Sequence, residues 1–188
     1  MPEDSIENID FEELSKAAIS QPVVQHIYTA DPSAHVFNGK IYIYPSHDVE
    51  SNIPFDDLGS HFAMEDYHVL SMNSPGDSFA TDHGVALHVR DVPWADKQMW
   101  APDAAEKDGT YYLFFPAKAL DGIFRLGVAT STSPVGPFTP QPEAIKGSFS
   151  IDPAVFKDDD GKYYMYFGGI WGGQMQRWRT GAFQAEGE

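Results

Sequence analysis

The chain contains 188 residues, of which 42% are hydrophobic and 14% aromatic, so it can bury a core of one or two globular domains. Its 28 acidic and 12 basic residues give a net charge of −16, which argues against nucleic acids and anionic membranes as partners because no basic patch is available to displace counterions. It has no cysteine, which excludes disulfides and thiolate metal sites, and no apolar run approaches the ~18 residues of a transmembrane helix.

The first segment, residues 1–20, is acidic. Its first 15 residues hold six acids and no base, the opposite of the basic start and apolar middle of a signal peptide. We therefore expect a cytoplasmic protein if Met1 is the native start, and a secreted or periplasmic one if a leader was removed. Apolar residues recur with helical spacing over residues 5–19, which predicts a short helix with Ser5 as its N-cap, or a frayed tail.

A pattern of X-Pro, a short apolar run, a polar-Gly turn and an aromatic run occurs three times after residue 20. Asn-Gly or Asp-Gly between apolar runs is a strong signal of a β-hairpin, and the aromatic runs suit strands. The residue before each proline is expected to be extended. Because 14 prolines and 16 glycines interrupt the chain, we predict an all-β fold with three tight turns. The copies are residues 31–44 (DPSAHVFNGKIYIY), 101–114 (APDAAEKDGTYYLF) and 152–166 (DPAVFKDDDGKYYMY).

The turn glycines of these copies, Gly39, Gly109 and Gly161, are 70 and 52 residues apart. Repeats of ~40–50 residues with four strands each are typical of β-propeller blades. We therefore predict stacked blades, with an insertion in the longer first interval. The polar segment 48–66 is the predicted insertion, and long loops of this kind commonly lie on a binding face.

Asp31 and Asp152 occupy matching positions in the first and third copies, and Ala101 takes that position in the second. A lone Asp-Pro pair is more often a turn than a site. Stacking repeats around an axis brings matching positions together, however, so a carboxylate in two of three copies predicts a shared site on the axis.

Neither the acidic turn nor the histidines predict a metal site. Residues 158–161 (DDDG) lack the alternating acids and final Glu of an EF-hand loop, so a solvated hairpin turn is the better interpretation. The seven histidines form no His-Glu-x-x-His pattern, and His35, His47 and His83 are those near other candidate site residues. We expect no metal ion and no cofactor.

Two tryptophans lie next to the repeat units. Trp100 precedes the second copy, and Trp171 follows the third within a glycine-rich segment. A tryptophan is as often part of a core as of a site, but beside axial carboxylates either ring would form a stacking platform for a sugar. Glycines around Trp171 would let a ligand approach the backbone closely.

Four motifs, in this order and spacing, resemble the N-terminal part of glycoside hydrolase family 43, and the similarity extends over about residues 21–178. Each motif is weak alone, but the ordered set is specific. The exo-acting β-xylosidases and α-L-arabinofuranosidases resemble this chain most. The motifs are residues 28–36 (YTADPSAHV), 99–103 (MWAPD), 131–138 (STSPVGPF) and 150–154 (SIDPA).

The resemblance implies a five-bladed β-propeller, of which residues 21–188 hold roughly the first three blades, and hydrolysis of glycosidic bonds with inversion. It implies Asp31 as the general base and Asp152 as the aspartate that orients the general acid and raises its pKa by like-charge repulsion. The family's acid is a glutamate from a later blade. Glu186 and Glu188 lie in a tail that does not match its motif, so we expect the acid outside this chain.

The expected function is hydrolysis of xylan- or arabinan-derived saccharides by a β-xylosidase or α-L-arabinofuranosidase, with an oligosaccharide as the partner. Trp100, Trp171, His47 and Asp103 are expected to bind this substrate. Two alternatives stay open: a non-catalytic carbohydrate-binding module, and a fragment that needs further blades for activity. In both cases, unpaired blade edges are expected to favour self-association.

Overall fold

The computed structural model describes residues 10–57, 59–168 and 180 of the chain. Strands account for 47% of the structure and helix for 6%, which confirms the all-β prediction. Within the described ranges, no helix has the length and apolar character needed to cross a bilayer.

The one α-helix of the described residues, α1, spans Phe11–Ala17. It begins after Asp10, whose carboxylate accepts hydrogen bonds of 3.0 Å from the backbone N–H groups of Glu12 and Glu13. The short helix was predicted, but its N-cap is Asp10 and not Ser5, which lies outside the described residues.

The described strands form three antiparallel sheets. The first has the order β1-β2-β3-β4, the second has the order β5-β7-β8-β9 with β6 also paired to β7, and the third is the hairpin β10-β11. A 3-10 helix at Val89–Asp91 links the first two sheets. The strands are β1 (Tyr28–Phe37), β2 (Lys40–Asp48), β3 (Asp66–Met72), β4 (Thr81–His88), β5 (Ala95–Lys97), β6 (Asp103–Lys107), β7 (Thr110–Ala119), β8 (Phe124–Ser131), β9 (Thr139–Pro140), β10 (Ile151–Lys157) and β11 (Tyr163–Gly168).

Two of the three predicted hairpin turns have the expected two-residue form. Asn38 and Gly39 have φ of 52° and 76°, and Asp108 and Gly109 have φ of 52° and 78°, the pair of positive values that a type I′ turn requires. The register is continuous next to both turns, over residues 33–37 of β1 with β2 and over the whole of β6 with β7.

The third turn is wider than predicted. The Asp158 N–H donates to the Lys162 carbonyl at 2.9 Å, and the Gly161 N–H donates to the Asp158 carbonyl at 2.9 Å. Three residues therefore form the loop, and Gly161 takes the left-handed position with φ of 79°, as in a type I turn followed by a bulge. The acidic side chains of this turn are exposed, in agreement with the solvated turn that the sequence predicts.

The first strands of the three repeat units lie side by side. Asp103 on β6 accepts a hydrogen bond from His35 Nε2 on β1 at 2.6 Å, and another from the Val155 N–H on β10 at 2.6 Å. Tyrosine hydroxyls add further links between the units: Tyr163 donates to the Glu106 carbonyl at 2.7 Å. The first strands of the three units are consequently brought together around one region.

The main core lies between the first and second sheets. Gly127 on β8 packs tightly against aromatic rings of the second sheet and its flank, because a Cβ there would lie 2.5 Å from Phe115 Cζ and 2.6 Å from Trp94 Cζ2. The buried side chains of this core are Tyr44, Tyr67, Val69, Ala86, Leu87, Val89, Val92, Met99, Ala104, Tyr111, Leu113, Phe115, Ala117, Ala129 and Phe138.

The third sheet presents aromatic rings to solvent. Phe156 stacks on Tyr164 with ring centroids 5.7 Å apart and on Tyr166 at 6.2 Å, and all three rings are exposed. Among the described strands, β11 pairs only with β10, and its other edge meets none of them.

Candidate active site

A cavity of about 240 Å³ lies where the first strands of the first and third repeat units approach each other. Its lining combines three acidic residues with aromatic and apolar ones. Its walls come from β1, from the end of β2, from the loop between β2 and β3, and from the start of β10. The lining residues are Ala30, Asp31, Asp48, Phe62, Met64, Trp100, Ile151 and Asp152.

The two predicted aspartates share this cavity and an unusual backbone conformation. Asp31 has φ of 46° and Asp152 has φ of 54°, values that residues other than glycine rarely adopt. Each lies at a break in strand register, between Ala30 and Ser33 in the first unit and beside Ile151 in the third. The expectation of extended geometry before proline is therefore wrong at both aspartates, because a β-bulge turns the chain there. Bulges and strained φ values are frequent at active sites, where they re-aim a side chain.

The acids of the cavity influence one another. Burial raises the pKa of Asp152, and the charge of Asp31 raises it further. Burial also raises the pKa of Asp48, again with a contribution from Asp31, while His47 opposes the change. Asp31 thus interacts electrostatically with an acid of its own hairpin, Asp48, and with one from another hairpin, Asp152.

The aromatic wall is formed by Trp100 and Phe62. Trp100 is only 7% exposed, and its indole N–H donates to the Phe62 carbonyl at 2.8 Å. The Phe62 ring meets the indole edge to face, with centroids 6.4 Å apart, and remains largely exposed. Phe62 and Met64 belong to the loop between β2 and β3, so the predicted insertion contributes to the cavity. Trp100 offers part of its ring to a ligand while most of it is packed.

Two residues that the sequence assigns to substrate binding lie outside the lining of this cavity. His47 hydrogen-bonds Asp66 at 2.7 Å on the other face of the first sheet. Asp103 is 6% exposed, and its two oxygens are taken by His35 and by backbone N–H groups, which gives it a role in joining strands. The third such residue, Trp171, lies outside the described residues.

Sequence reasoning missed Asp48, Phe62 and Met64 as cavity residues. Asp48 is the last residue of β2 and pairs with Tyr28 at the start of β1, so the hairpin register carries it next to Asp31. Extending the strand register outward from the Asn38-Gly39 turn would have predicted that Asp48 lies near Asp31. Nothing in the local sequence indicates that Phe62 and Met64 of the loop would fold back onto Trp100.

One group of potential metal ligands occurs among the described residues. His47, Asp66 and His68 bring their ligand atoms within 4.8 Å of one another. They lie on the face of the first sheet that points away from the core.

The sequence profile of Glycosyl hydrolases family 43 matches residues 19–182. A xylosidase/arabinosidase of Humicola insolens is 64% identical over 168 residues, which cover 88% of this chain and 51% of that protein. A xylosidase/arabinosidase of Bacteroides ovatus is 57% identical over 153 residues, which cover 81% of this chain and 47% of that protein.

Solved structures agree with this match. A β-xylosidase/α-arabinofuranosidase from a compost microbial metagenome, solved with xylotriose, superimposes with a TM-score of 0.86 at 66% identity over 91% of this chain and 52% of its own. An enzyme of Xanthomonas citri solved with xylose gives a TM-score of 0.81 at 57% identity, over 94% of this chain and 51% of its own. The chain spans about half the length of these relatives. With its profile match, its three propeller-type sheets and its paired bulged aspartates, it belongs to glycosyl hydrolase family 43.

Proposed function

We propose that this chain is the N-terminal half of a catalytic domain that removes xylosyl or arabinofuranosyl units from xylan- or arabinan-derived oligosaccharides, with inversion at the anomeric carbon. The observation that carries the proposal is the cavity in which Asp31 and Asp152, from two separate hairpins, converge beside Trp100. Relatives named as xylosidases or arabinosidases support the substrate class, as do the solved relatives with xylose or xylotriose.

The size and lining of the cavity suit a single sugar ring. Its volume of about 240 Å³ lies below the roughly 300–1,000 Å³ of sites for drug-sized ligands. The apolar side chains of Trp100, Phe62 and Met64 can cover the C–H face of a sugar, while the carboxylates of the same cavity can accept hydrogen bonds from its hydroxyls.

Asp31 is assigned as the general base. Its carboxylate takes a proton from a water molecule, the water oxygen forms a bond to the anomeric carbon, and the bond from that carbon to the leaving oxygen breaks. The leaving oxygen takes a proton from a carboxylic acid on the opposite side of the sugar. In inverting hydrolases the two carboxyl groups lie roughly 6.5–9.5 Å apart, which leaves room for the water.

Asp152 is assigned the role of raising the pKa of the general acid. Burial and the charge of Asp31 already raise the pKa of Asp152, so further negative charge in this region is disfavoured. A carboxylic acid placed next to Asp152 and Asp31 would keep its proton to a higher pH for the same reason. This is how a neutral proton donor can be maintained at the pH where Asp31 must be ionised.

A second candidate function, sugar binding without turnover, is favoured by the acids that line the cavity. In the described part of the chain these are three aspartates, and no glutamate lines the cavity. The Glu106 side chain accepts the Gly109 N–H at 2.7 Å in a hairpin turn, which commits it elsewhere. The 188-residue chain by itself is therefore expected to bind xylose units and to cleave them poorly, since general acid catalysis contributes ~10²–10⁴-fold.

The test is turnover of xylobiose by the chain alone and by the chain mixed with, or fused to, the second half of the compost-metagenome relative. We expect little activity from the chain alone and activity from the complemented protein. Asp31→Asn in the complemented protein should reduce kcat by at least ~10²-fold. The matched control is Asp96→Asn, an exposed aspartate of β5 outside the cavity lining.

Two outcomes would overturn the proposal. Full activity of Asp31→Asn in the complemented protein would remove Asp31 from the base role. Proton NMR of the first product formed would exclude an inverting reaction if it showed that the anomeric configuration is retained.

A third outcome bears on the position of the general acid. Ordinary turnover of xylobiose by the chain alone would mean that the acid lies within these 188 residues, and Glu65, Glu106 and Glu143 would become the candidates.

A further inference from the structure

We propose that His47, Asp66 and His68 form a binding site for a divalent transition-metal ion, with zinc as the type ion, on the outer face of the first sheet. This site is separate from the cavity that holds Asp31, and its argument does not depend on the proposed hydrolase activity. The three residues bring their ligand atoms within 4.8 Å of one another.

Strand register places the three side chains together. Ser46 of β2 pairs with Tyr67 of β3, so the same register sets His47 opposite Asp66. His68 lies two residues beyond Asp66 on β3, and alternate residues of a strand share a face. Ser46 and Tyr67 are fully buried in the core, so their neighbours in sequence point to the other face.

The distances between the donor atoms suit a small cation. His47 Nδ1 lies 2.7 Å from Asp66 Oδ1, and His68 Nε2 lies 3.9 Å from the same oxygen. Zinc bonds of ~2.0–2.2 Å to nitrogen and oxygen place neighbouring ligands of a tetrahedron about 3.3 Å apart. Each of these two distances differs from that value by about 0.6 Å, and all the donor atoms lie within 4.8 Å of one another, so a modest closing movement of the side chains would bring them around one ion.

The neighbouring residue Asp82 fixes which nitrogen of His68 is free. His68 Nδ1 lies 2.9 Å from Asp82 Oδ1, and His26 Nε2 lies 2.8 Å from Asp82 Oδ2. The Asp82 carboxylate can only accept, so His68 Nδ1 carries the proton.

With Nδ1 donating to Asp82, the ring of His68 turns Nε2 toward the Asp66 oxygen, 3.9 Å away. In zinc sites the ligating imidazole usually donates its other N–H to a carboxylate. Asp82 stands in this relation to His68, which leaves Nε2 as the nitrogen available to a metal ion beside Asp66.

Metal binding requires one proton to move. In the absence of metal, His47 Nδ1 donates to Asp66 at 2.7 Å. Coordination through this nitrogen transfers its proton to Nε2 of the same ring, which leaves Nδ1 as the ligand and His47 neutral. Two imidazoles and one carboxylate occupy three positions and leave a fourth for water, the ligand set that catalytic zinc sites use.

The site is accessible but mostly covered. Side-chain exposure is 19% for His47, 15% for Asp66 and 12% for His68, so an ion can enter and still be shielded from bulk water. Two nitrogen donors favour zinc, cobalt or nickel over calcium, which prefers six to eight oxygen ligands. A bound ion would join β2 to β3 one residue from Asp48, which lines the cavity.

The experiment is calorimetric titration of the chelator-treated 188-residue chain with zinc chloride, with calcium chloride in parallel. We expect one equivalent of zinc to bind, and His47→Gln or His68→Gln to weaken binding at least tenfold. Asp82→Asn should weaken it by roughly 10–100-fold, since it removes the group that orients His68. The matched control is His83→Gln, a histidine of the same sheet that hydrogen-bonds Ser71 and should leave zinc affinity unchanged.

Zinc binding that survives in a His47→Gln/His68→Gln double variant would mean adventitious surface binding and would overturn the proposal. Loss of equal size in His83→Gln would do the same. Substitution of zinc by cobalt gives a second readout on the unmodified chain, which does not depend on how the variants fold. The strong visible absorption of four-coordinate cobalt is expected, and the weak spectrum of a six-coordinate ion would reject the tetrahedral site.

Discussion

His35 Nε2 and Asp103 Oδ1 lie 2.6 Å apart and join the first strands of two repeat units. The other oxygen of Asp103 accepts the N–H of Val155 from the third unit, also at 2.6 Å. A single buried carboxylate therefore links three hairpins that share no common ladder. The positions of Asp31 and Asp152 depend on this link, because they belong to the outer two of those hairpins.

Asp103→Asn should destabilise the fold by roughly 1–3 kcal/mol, because the amide cannot accept hydrogen bonds on both of its atoms. Burial raises the pKa of Asp103, but hydrogen bonds from His35 and from the N–H groups of Val155 and Ala104 bring it below its ordinary value. An acid with a lowered folded pKa stabilises the protein above its unfolded pKa, and this contribution is lost as the pH falls through the folded pKa. Urea unfolding at pH 7 and pH 3 should show that the difference in free energy of unfolding between the unmodified chain and Asp103→Asn shrinks at low pH. A constant difference would contradict this account.

Asp152→Asn should have the opposite effect on stability. Burial and the charge of Asp31 raise the pKa of Asp152, so the ionised form is disfavoured in the folded state. Stability therefore falls as the pH rises from the unfolded pKa through the raised folded pKa, and an amide avoids this loss. Thermal unfolding at pH 7 should give a higher Tm for Asp152→Asn than for the unmodified chain, with the gain disappearing below about pH 4. Asparagine also tolerates the left-handed φ of this position.

The exposed Asp96→Asn is the control for that measurement and should leave Tm nearly unchanged at both pH values. A lower Tm for Asp152→Asn at pH 7 would show that the carboxylate makes stabilising contacts that outweigh its burial.

Gly127→Ala should destabilise the core by at least ~1–3 kcal/mol, the usual cost of overpacking. Its Cβ would lie 2.5 Å from Phe115 Cζ, and Phe115 is fully buried. The matched control is Gly76→Ala, where the nearest atom, Ser74 Oγ, lies 3.7 Å from the new Cβ. Equal unfolding midpoints in urea for the two variants would mean that the second sheet relaxes more easily than its packing indicates.

The 188-residue chain should self-associate through its third sheet. The rings of Phe156, Tyr164 and Tyr166 form an exposed stack beside the edge of β11 that pairs with no described strand, and both features promote association. Sedimentation velocity should show oligomers whose proportion rises with protein concentration and falls in Tyr166→Lys.

Phe79→Lys provides the control for association, since Phe79 is exposed but lies in the loop before β4, away from the third sheet. A monomeric unmodified chain, or an equal effect of both substitutions, would remove the third sheet as the contact surface.

Local sequence signals were sufficient for the hairpins and for the pairing of the two aspartates. Asn-Gly and Asp-Gly determine a turn through their tolerance of positive φ, so the register of β1 with β2 and of β6 with β7 follows from a few residues. The repeat of Asp-Pro then predicts that Asp31 and Asp152 meet, and they line one cavity.

Contacts between distant segments were not predictable in the same way. Asp103 was expected to bind substrate because of the motif in which it stands. Its carboxylate is instead hydrogen-bonded by His35 and Val155, which are far away in sequence. The left-handed φ of Asp31 also escaped prediction, because the local preference before proline is overridden by a bulge that only the paired strand reveals. The grouping of His47 with His68 likewise depends on strand pairing and not on spacing.

Because Asp31 and Asp152 belong to sheets with no shared ladder, each hairpin can form in full while the cavity is absent. Far-ultraviolet circular dichroism, which responds to strands, would then not detect the loss of the cavity. Ligand affinity would respond at once, since it reports the docking of one hairpin against another. The Tyr163 hydroxyl, which donates to the Glu106 carbonyl, is one contact between hairpins. Substitutions at such contacts should therefore weaken sugar binding from a distance and leave the circular dichroism spectrum unchanged.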